Sequence, residues 1–549
     1  MPRGLGRSRL RCLLPAAMTV CLLPAPAAVA DTTPTWLTGG QNQANTRYQA
    51  QESAIGSGNA ATLAPKWQFA TGDATTGGDV SATPAVDSQR AYFPDSKGHL
   101  FALDRETGAV VWQRDIAAIT GIAGDYARAT PAISGHVLII GDQAGKFETP
   151  STDPSIVGAY VMALDKATGK LLWKTRVDPH FSAFVTQSAQ VSGDTAYVGV
   201  ASNEEAFANQ IFAGQPYTCC SFRGSVVALD VSTGAIRWKT YTIPDEPGYS
   251  GGAVWGSTPA VDLKRGALYV ATGNNYSLPP ARIACVNAAT TDADKRACLP
   301  GDHFDAVMAL NLRTGAVLWS FEALPSDAWN VDCGLPGALP GDTNNPSNCP
   351  PGAGPDYDFG QAPMLFTAKI GGRKVDVVGA GEKSGDFWAL NRDTGQRLWK
   401  TAVGPGGFTG GLQWGSATDG ARIYVAESNS TFLSGGWWSA LDPSTGAILW
   451  TTHDPGPGLT STFGFFGYSA EGPVSTANGV VYGCSLDPAG TMVAMDAATG
   501  AVRWTYASGS SCLGGAAIAN GTVYWGTGYR TFAPLTTAGN RLLAFAPAG

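Results

Sequence analysis

Read for its hydrophobic and polar positions, the chain repeats itself. An apolar run, such as Tyr160-Val161-Met162-Ala163-Leu164, closes on Asp or Asn. Two variable residues and Thr-Gly follow, and a second stretch ends in Trp. Seven copies, at 102–112, 163–173, 228–238, 309–319, 389–399, 440–450 and 494–504, keep Gly six and Trp ten residues after the first Ala. The pattern predicts a β-hairpin. Asp accepts the backbone amides ahead of it, and Gly supplies the positive φ of a tight turn. The ten-residue offset sets Ala and Trp on neighbouring strands, so that Trp covers the small Ala and wedges against the next unit. Successive Trp residues are 51–81 apart, enough for one four-stranded blade of about 40–45 residues each. A last fragment, Arg541-Leu542-Leu543-Ala544-Phe545-Ala546, matches the strand that precedes each Asp. The expected fold is all-β: one eight-bladed β-propeller over 31–549. Its eighth blade is closed by C-terminal and N-terminal strands, the latter near Trp36, which hides the last sheet edges.

Composition narrows the function. Lys and Arg number 36 against 43 Asp and Glu, a net charge of −7, the wrong sign for a nucleic-acid binder. Only 14% of residues are charged, which excludes long charged helices. Residues 1–30 read as an export leader. Arg3, Arg7, Arg9 and Arg11 precede a short apolar stretch, and Ala28-Val29-Ala30 forms a cleavage site. The stretch is broken by Pro15, Pro24 and Pro26 and falls short of the ~18 residues of a membrane span. Export to the periplasm or beyond is expected, with no membrane span once the leader is removed. Eight of the ten cysteines remain after residue 30, an even number that favours disulfides. By proximity the pairs are Cys219/Cys220, Cys285/Cys298, Cys333/Cys349 and Cys484/Cys512, one pairing among about 105. No C-x-x-C-H motif occurs, so no c-type haem is attached to this chain.

The repeat resembles the tryptophan-docking motif of the quinoprotein alcohol dehydrogenases, eight-bladed propellers that hold pyrroloquinoline quinone (PQQ) and Ca²⁺ on the central axis. Non-catalytic propellers of outer-membrane assembly share the repeat, so the residues between the copies carry the functional reading. The segments 216–224 (Pro-Tyr-Thr-Cys-Cys-Ser-Phe-Arg-Gly), 327–330 (Asp-Ala-Trp-Asn) and 354–360 (Gly-Pro-Asp-Tyr-Asp-Phe-Gly) are similar to the family's polyvinyl-alcohol-oxidising members. The resemblance implies that the adjacent Cys219 and Cys220 form a disulfide ring stacked on one face of PQQ. Trp255 would supply the floor, with Trp414 in a similar context as the alternative. Asn274 and one of Glu204 and Glu205 would bind Ca²⁺, a cation that takes hard oxygen ligands. The count back to Thr186 favours Glu204, and the local Ser-x-x-Glu pattern favours Glu205. Arg128 matches an Arg that binds a cofactor carboxylate and Thr186 matches a hydroxyl donor to the cofactor, and Lys383 matches the cation beside its quinone oxygens.

The matching general base is missing. Where methanol-oxidising relatives carry Trp-Asp, this chain has Trp329-Asn330, and Asn has no basic lone pair near neutral pH. Asp327 and Asp332 flank it and are the expected bases. Asp356 and Asp358 are expected to shape a loop or blade turn. The implied activity is oxidation of secondary alcohols, polyvinyl alcohol among them, with electrons leaving to a separate cytochrome c or other acceptor. The rivals are a non-catalytic propeller that binds proteins or cell-surface material, and a PQQ enzyme for sugars or small primary alcohols.

Overall fold

The computed structural model describes residues 33–548 apart from 144, 147–148, 151–155, 210–212, 214–216, 257, 335–346, 429–435, 457–469 and 533–535. The leader expected at 1–30 lies outside the described residues, as do Pro216 and part of the segment between Asp327 and Gly360. Eight antiparallel sheets follow one another. Seven are built from strands paired in chain order within 85–115, 132–178, 190–241, 260–322, 364–402, 417–453 and 475–507, the second and fourth interrupted by short strands that pair elsewhere. The eighth joins Ala517–Ala519, Thr522–Gly526 and Arg541–Pro547 to the N-terminal strand Leu63–Ala70. Leu63 pairs with Pro547 and Ala70 with Arg541, so the two ends of the chain close the ring.

The expected closure is present, but not near Trp36. Trp36 makes only an isolated antiparallel bridge to Val86, and its indole is fully buried. The closing strand alternates around Trp67, which does what the repeat's Trp residues do. Apart from Trp504, each such indole donates to the carbonyl of the residue after the Asp or Asn of the next blade's turn. Trp67 donates to Arg105 (3.0 Å), Trp112 to Lys166 (3.0 Å), Trp173 to Val231 (2.8 Å) and Trp450 to Ala497 (3.1 Å). Trp504 closes the circle on Leu63 (2.8 Å). Ala and Trp are direct cross-strand partners, as Ala163 and Trp173 are. The turn Gly is doubly constrained. At Gly234 φ is +72°, and a Cβ would come within 2.6 Å of the Trp173 ring and of Thr175 Oγ1. One motif therefore shapes the turn within a blade and the contact between blades.

Residues 36–49, which the repeat does not cover, run past the inner strand of every blade. Leu37 O accepts from Ile133, Gln43 O from Val261, Ala44 O from Leu365, Thr46 O from Thr418 and Arg47 O from Thr476. Thr38 Oγ1 donates to Ala189 O in the third blade, and Gln49 Nε2 to Ile518 O in the eighth. Arg47 is fully buried, and burial lowers its guanidinium to about 9. It donates to Val474 O, Gly39 O, Thr83 and Ser475. This clasp ties the blades together around the axis. The four cysteine pairs are those expected from proximity. Among the described residues no helix is long and apolar enough to cross a membrane.

Candidate active site

The loops that flank the inner strands converge on the axis, because a blade's first strand lies innermost. Arg128 precedes the first strand of the second blade, and Thr186 that of the third. Trp255 and Trp414 stand just ahead of the fourth and sixth. Arg128, Thr186 and Trp414 line one axial cavity, together with Gly39 and Arg47 of the clasp. The Arg128 guanidinium lies 4.6 Å from the Trp414 ring centroid, a cation–π contact. Thr186 Oγ1 is buried with no hydrogen-bond partner. Trp414 packs edge-on against Trp255, with centroids 5.2 Å apart. The two candidate floor residues thus touch.

A second group comes from the ends of the second strands in the third, fourth and fifth blades. Glu205 follows the strand Thr195–Ser202, Asn274 follows Ala267–Ala271, and Lys383 follows Arg373–Gly381. The loop entering the fifth blade adds Asp356 and Asp358. Lys383 Nζ lies 3.0 Å from both carboxylate oxygens of Asp356 and 3.0 Å from Asp358 Oδ2. Asp358 Oδ1 accepts the Asn274 amide (2.7 Å), and Oδ2 accepts the Trp255 indole (2.9 Å). Asp356 holds φ +61°, a strained state for a residue other than Gly and of the kind that concentrates at functional sites. Asp356 and Asp358, expected to shape a loop, are therefore in the centre of the site. A visible signal existed: two acids one residue apart, bounded by Gly and Pro, in a chain poor in charge.

Burial dominates the electrostatics. It pushes the Asp356 carboxyl well above its usual range, with Lys383 opposing. Burial and the nearby Asp358 charge push Glu205 up to about 8. Burial alone would lower the Lys383 ammonium, but Asp356, Asp358 and Glu205 outweigh it and hold it above its ordinary value. Two oxygens in this region, Glu205 Oε1 and Asn274 Oδ1, are buried without a hydrogen-bond partner, and such orphans in a dry site invite a cation. The Asn274 side chain is held in place by its Nδ2, which donates to Trp329 O (2.8 Å). Among the described residues no three His, Cys, Asp or Glu side chains are grouped as an ion site.

The other expected residues have different partners. Glu204 accepts hydrogen bonds from Tyr217, Ser221 and Phe222, all on the loop that carries the Cys219–Cys220 disulfide. Its oxygens are engaged, unlike the Oε1 of its neighbour Glu205. Asp327 accepts the Tyr357 amide (2.9 Å) and the Asp356 amide (3.3 Å), which holds the Asp-Tyr-Asp loop in place. Burial pushes Asp327 up to about 6, against the Tyr357 hydrogen bond. Asp332 accepts Ser347 Oγ and the Asn348 amide, each at 2.6 Å. Both acids expected as bases thus have carboxylates taken up by neighbouring loops. Asn330 donates to Tyr276 O and Asn348 O, both 3.0 Å, and its Nδ2 lies 3.9 Å from Cys219 Sγ. An amide at 330 suits this position because it must donate twice.

A family model described as outer membrane protein assembly factor BamB matches residues 41–157, 157–321 and 383–547. A second, described as the glucose/ethanol/alcohol dehydrogenase β-propeller domain, matches 355–405, which includes Asp356, Asp358 and Lys383. The chain is 30% identical over 547 residues to a polyvinylalcohol dehydrogenase of Sphingopyxis sp. (strain 113P3), covering 92% of this chain and 75% of the relative. It is 29% identical over 532 residues to a polyvinylalcohol dehydrogenase of Pseudomonas sp, covering 90% and 73%. A solved quinohemoprotein alcohol dehydrogenase from Pseudomonas putida HK5 superposes with a TM-score of 0.69 at 16% identity, over 94% of this chain and 80% of that one, a likeness of fold.

Proposed function

The chain belongs to the PQQ-dependent quinoprotein alcohol dehydrogenase family, and on that premise we propose that it is an exported dehydrogenase of secondary alcohols, polyvinyl alcohol among them. The observation that carries this reading is the buried Asp356–Lys383–Asp358 group beside the orphaned oxygens of Glu205 and Asn274. Those two oxygens would hold Ca²⁺, whose shell takes carboxylate and amide oxygens. The flat Cys219–Cys220 ring and Trp255 would lie against the faces of the planar cofactor. Arg128 and the unpartnered Thr186 hydroxyl would receive its carboxylates. Bound there, PQQ would supply the two-electron acceptor that no side chain provides.

The chain's own residues manage the proton. Asp356 is the proposed base, in place of Asp327 or Asp332. Burial raises its carboxyl above the usual range, which makes the ionised form more basic, and the Lys383 charge opposes that rise. Lys383 orients it through two 3.0 Å contacts and keeps the ionised form accessible in a buried site. Asp327 acts through Asp356, by holding the backbone of 356 and 357. Trp329, buried and stacked on Phe408 at 5.8 Å, helps to exclude water. Electrons would leave to a separate cytochrome c or another acceptor.

The test is reconstitution of the purified protein with PQQ and Ca²⁺, followed by dye reduction with polyvinyl alcohol, a small secondary alcohol and glucose. Uptake of cofactor with turnover of the first two substrates supports the proposal. No uptake, under conditions where a known quinoprotein reconstitutes, refutes the enzyme reading. Turnover of glucose alone refutes the substrate class. An exported protein that begins at Asp31 would support the leader, and retention of residues 1–30 would refute it.

A further inference from the structure

Glu204 and Glu205 are neighbours on the one-turn helix Glu204–Phe207, yet they serve different surroundings. Glu204 is completely buried. Its carboxylate accepts the Tyr217 hydroxyl at 2.5 Å, the Ser221 amide at 2.8 and 2.9 Å, the Ser221 hydroxyl at 3.1 Å and the Phe222 amide at 2.7 Å. Every one of these donors lies within three residues of Cys219–Cys220; His180 Nε2, outside the loop, also lies 3.6 Å from Glu204 Oε1 and 3.0 Å from Ser221 Oγ. The far edge of the same loop is held by Asn348. Its Oδ1 accepts the Cys219 amide (3.2 Å), and its Nδ2 donates to Tyr217 O and Ala208 O (both 2.8 Å). Ala208 directly follows the helix, so both edges of the loop are fastened to it. Glu205, one residue on, keeps its Oε1 free of partners.

We infer that Glu204 is a positioning residue for the Cys219–Cys220 platform, and that the helix 204–207 couples this platform to the cation held by Glu205. The inference rests on the proposed function for what the platform faces and for the cation. The Glu204 site requires an acceptor only, because amide and hydroxyl donors meet both of its oxygens. A Gln would turn an NH₂ toward at least one of those donors. Glu204 and Glu205 share the backbone of one hydrogen-bonded turn, so a cation that restrains that backbone through Glu205 also restrains the anchor of the disulfide loop.

The experiment measures hydrogen exchange at Ser221 and Phe222, first without cofactor and then with millimolar Ca²⁺ alone, alongside PQQ titration. Glu204→Gln is expected to speed exchange at these amides about tenfold and to weaken PQQ binding by a similar factor, the size of one charge-assisted hydrogen bond lost. Glu204→Asp, which keeps an acceptor-only carboxylate, is expected to recover most of both losses. Rescue by charge and acceptor type is something a purely space-filling residue would not show. Ca²⁺ is expected to slow the same amides in the unaltered protein but not in Glu205→Gln. Unchanged exchange in Glu204→Gln overturns the positioning role. A Ca²⁺ addition that leaves the unaltered protein's Ser221 and Phe222 amides unchanged overturns the coupling. Should the unaltered protein take up no PQQ, the proposed function fails, while exchange in Glu204→Gln still decides whether Glu204 anchors the loop.

Discussion

Asn330→Asp restores, at position 330, the residue type found in methanol-oxidising relatives, and the structure predicts that it harms the protein. Asn330 is fully buried. Its Nδ2 donates to Tyr276 O and Asn348 O, both at 3.0 Å, and its Oδ1 accepts the Asp332 amide at 3.1 Å. A carboxylate keeps the last bond and turns an oxygen toward two carbonyls. Each buried acceptor left without a partner costs about 1–3 kcal/mol, so the ionised variant should lose about 2–6 kcal/mol. Protonation returns one donor and about half of the loss, so the deficit should be smaller at pH 5 than at pH 8. Asn348 also fastens the Cys219 amide and Tyr217 O, so the disulfide loop should loosen and cofactor binding weaken. Urea unfolding at both pH values reads the stability, through a lower midpoint with a similar slope. Dye reduction with a secondary alcohol reads the activity. A variant with an unchanged midpoint and a higher kcat would refute the reasoning and return the base to position 330.

Further outcomes follow from the same geometry. Asp356→Asn should lower kcat about 10²–10⁴-fold, as loss of a general base does, while PQQ and Ca²⁺ are still bound. Asp332→Asn should keep turnover within a few-fold and lower the melting temperature, and the reverse ranking in steady-state assays would move the base. Gly234→Ala adds a Cβ at φ +72° within 2.6 Å of the Trp173 ring and Thr175. Left-handed backbone plus overpacking should cost about 2–4 kcal/mol, visible in chemical unfolding. Glu382 has one oxygen bonded by the Trp388 indole at 2.8 Å and Oε1 without a partner, and burial pushes it up to about 8. A raised carboxyl contributes stability that is full below its unfolded pKa near 4.5 and is lost as pH rises through about 8. Unfolding free energy should therefore fall between pH 5 and 9, and Glu382→Gln should flatten that slope.

The Thr-Gly turn and its Trp were legible because the same local contact is made in blade after blade. Asp-x-x-Thr-Gly folds on itself, and Trp meets only the next copy of that turn. Closure by the chain ends was legible too, since seven copies and a final strand leave one strand missing. Its location was not, because Leu63–Ala70 lacks the turn that marks the other blades, and only pairing with Arg541–Pro547 reveals Trp67 as the eighth docking residue. The clasp 36–49 was illegible for a similar reason: its backbone groups are paired one blade at a time around the axis, with no periodicity along the chain.

At the site, sequence alone selected residue types and neighbourhoods: acids after Ser202, an amide at 274, a cation at 383 and adjacent cysteines. Only the tertiary structure decided which atoms are free. Glu204 and Glu205 are indistinguishable by composition and spacing, yet one is surrounded by donors of a loop thirteen to eighteen residues away and the other is not. Asp327 and Asp356 differ likewise, one engaged by backbone amides and the other by Lys383. Periodic contacts between like neighbours leave a pattern in the sequence. A site assembled once from three blades leaves none, because its geometry depends on side-chain directions that only the closed ring sets.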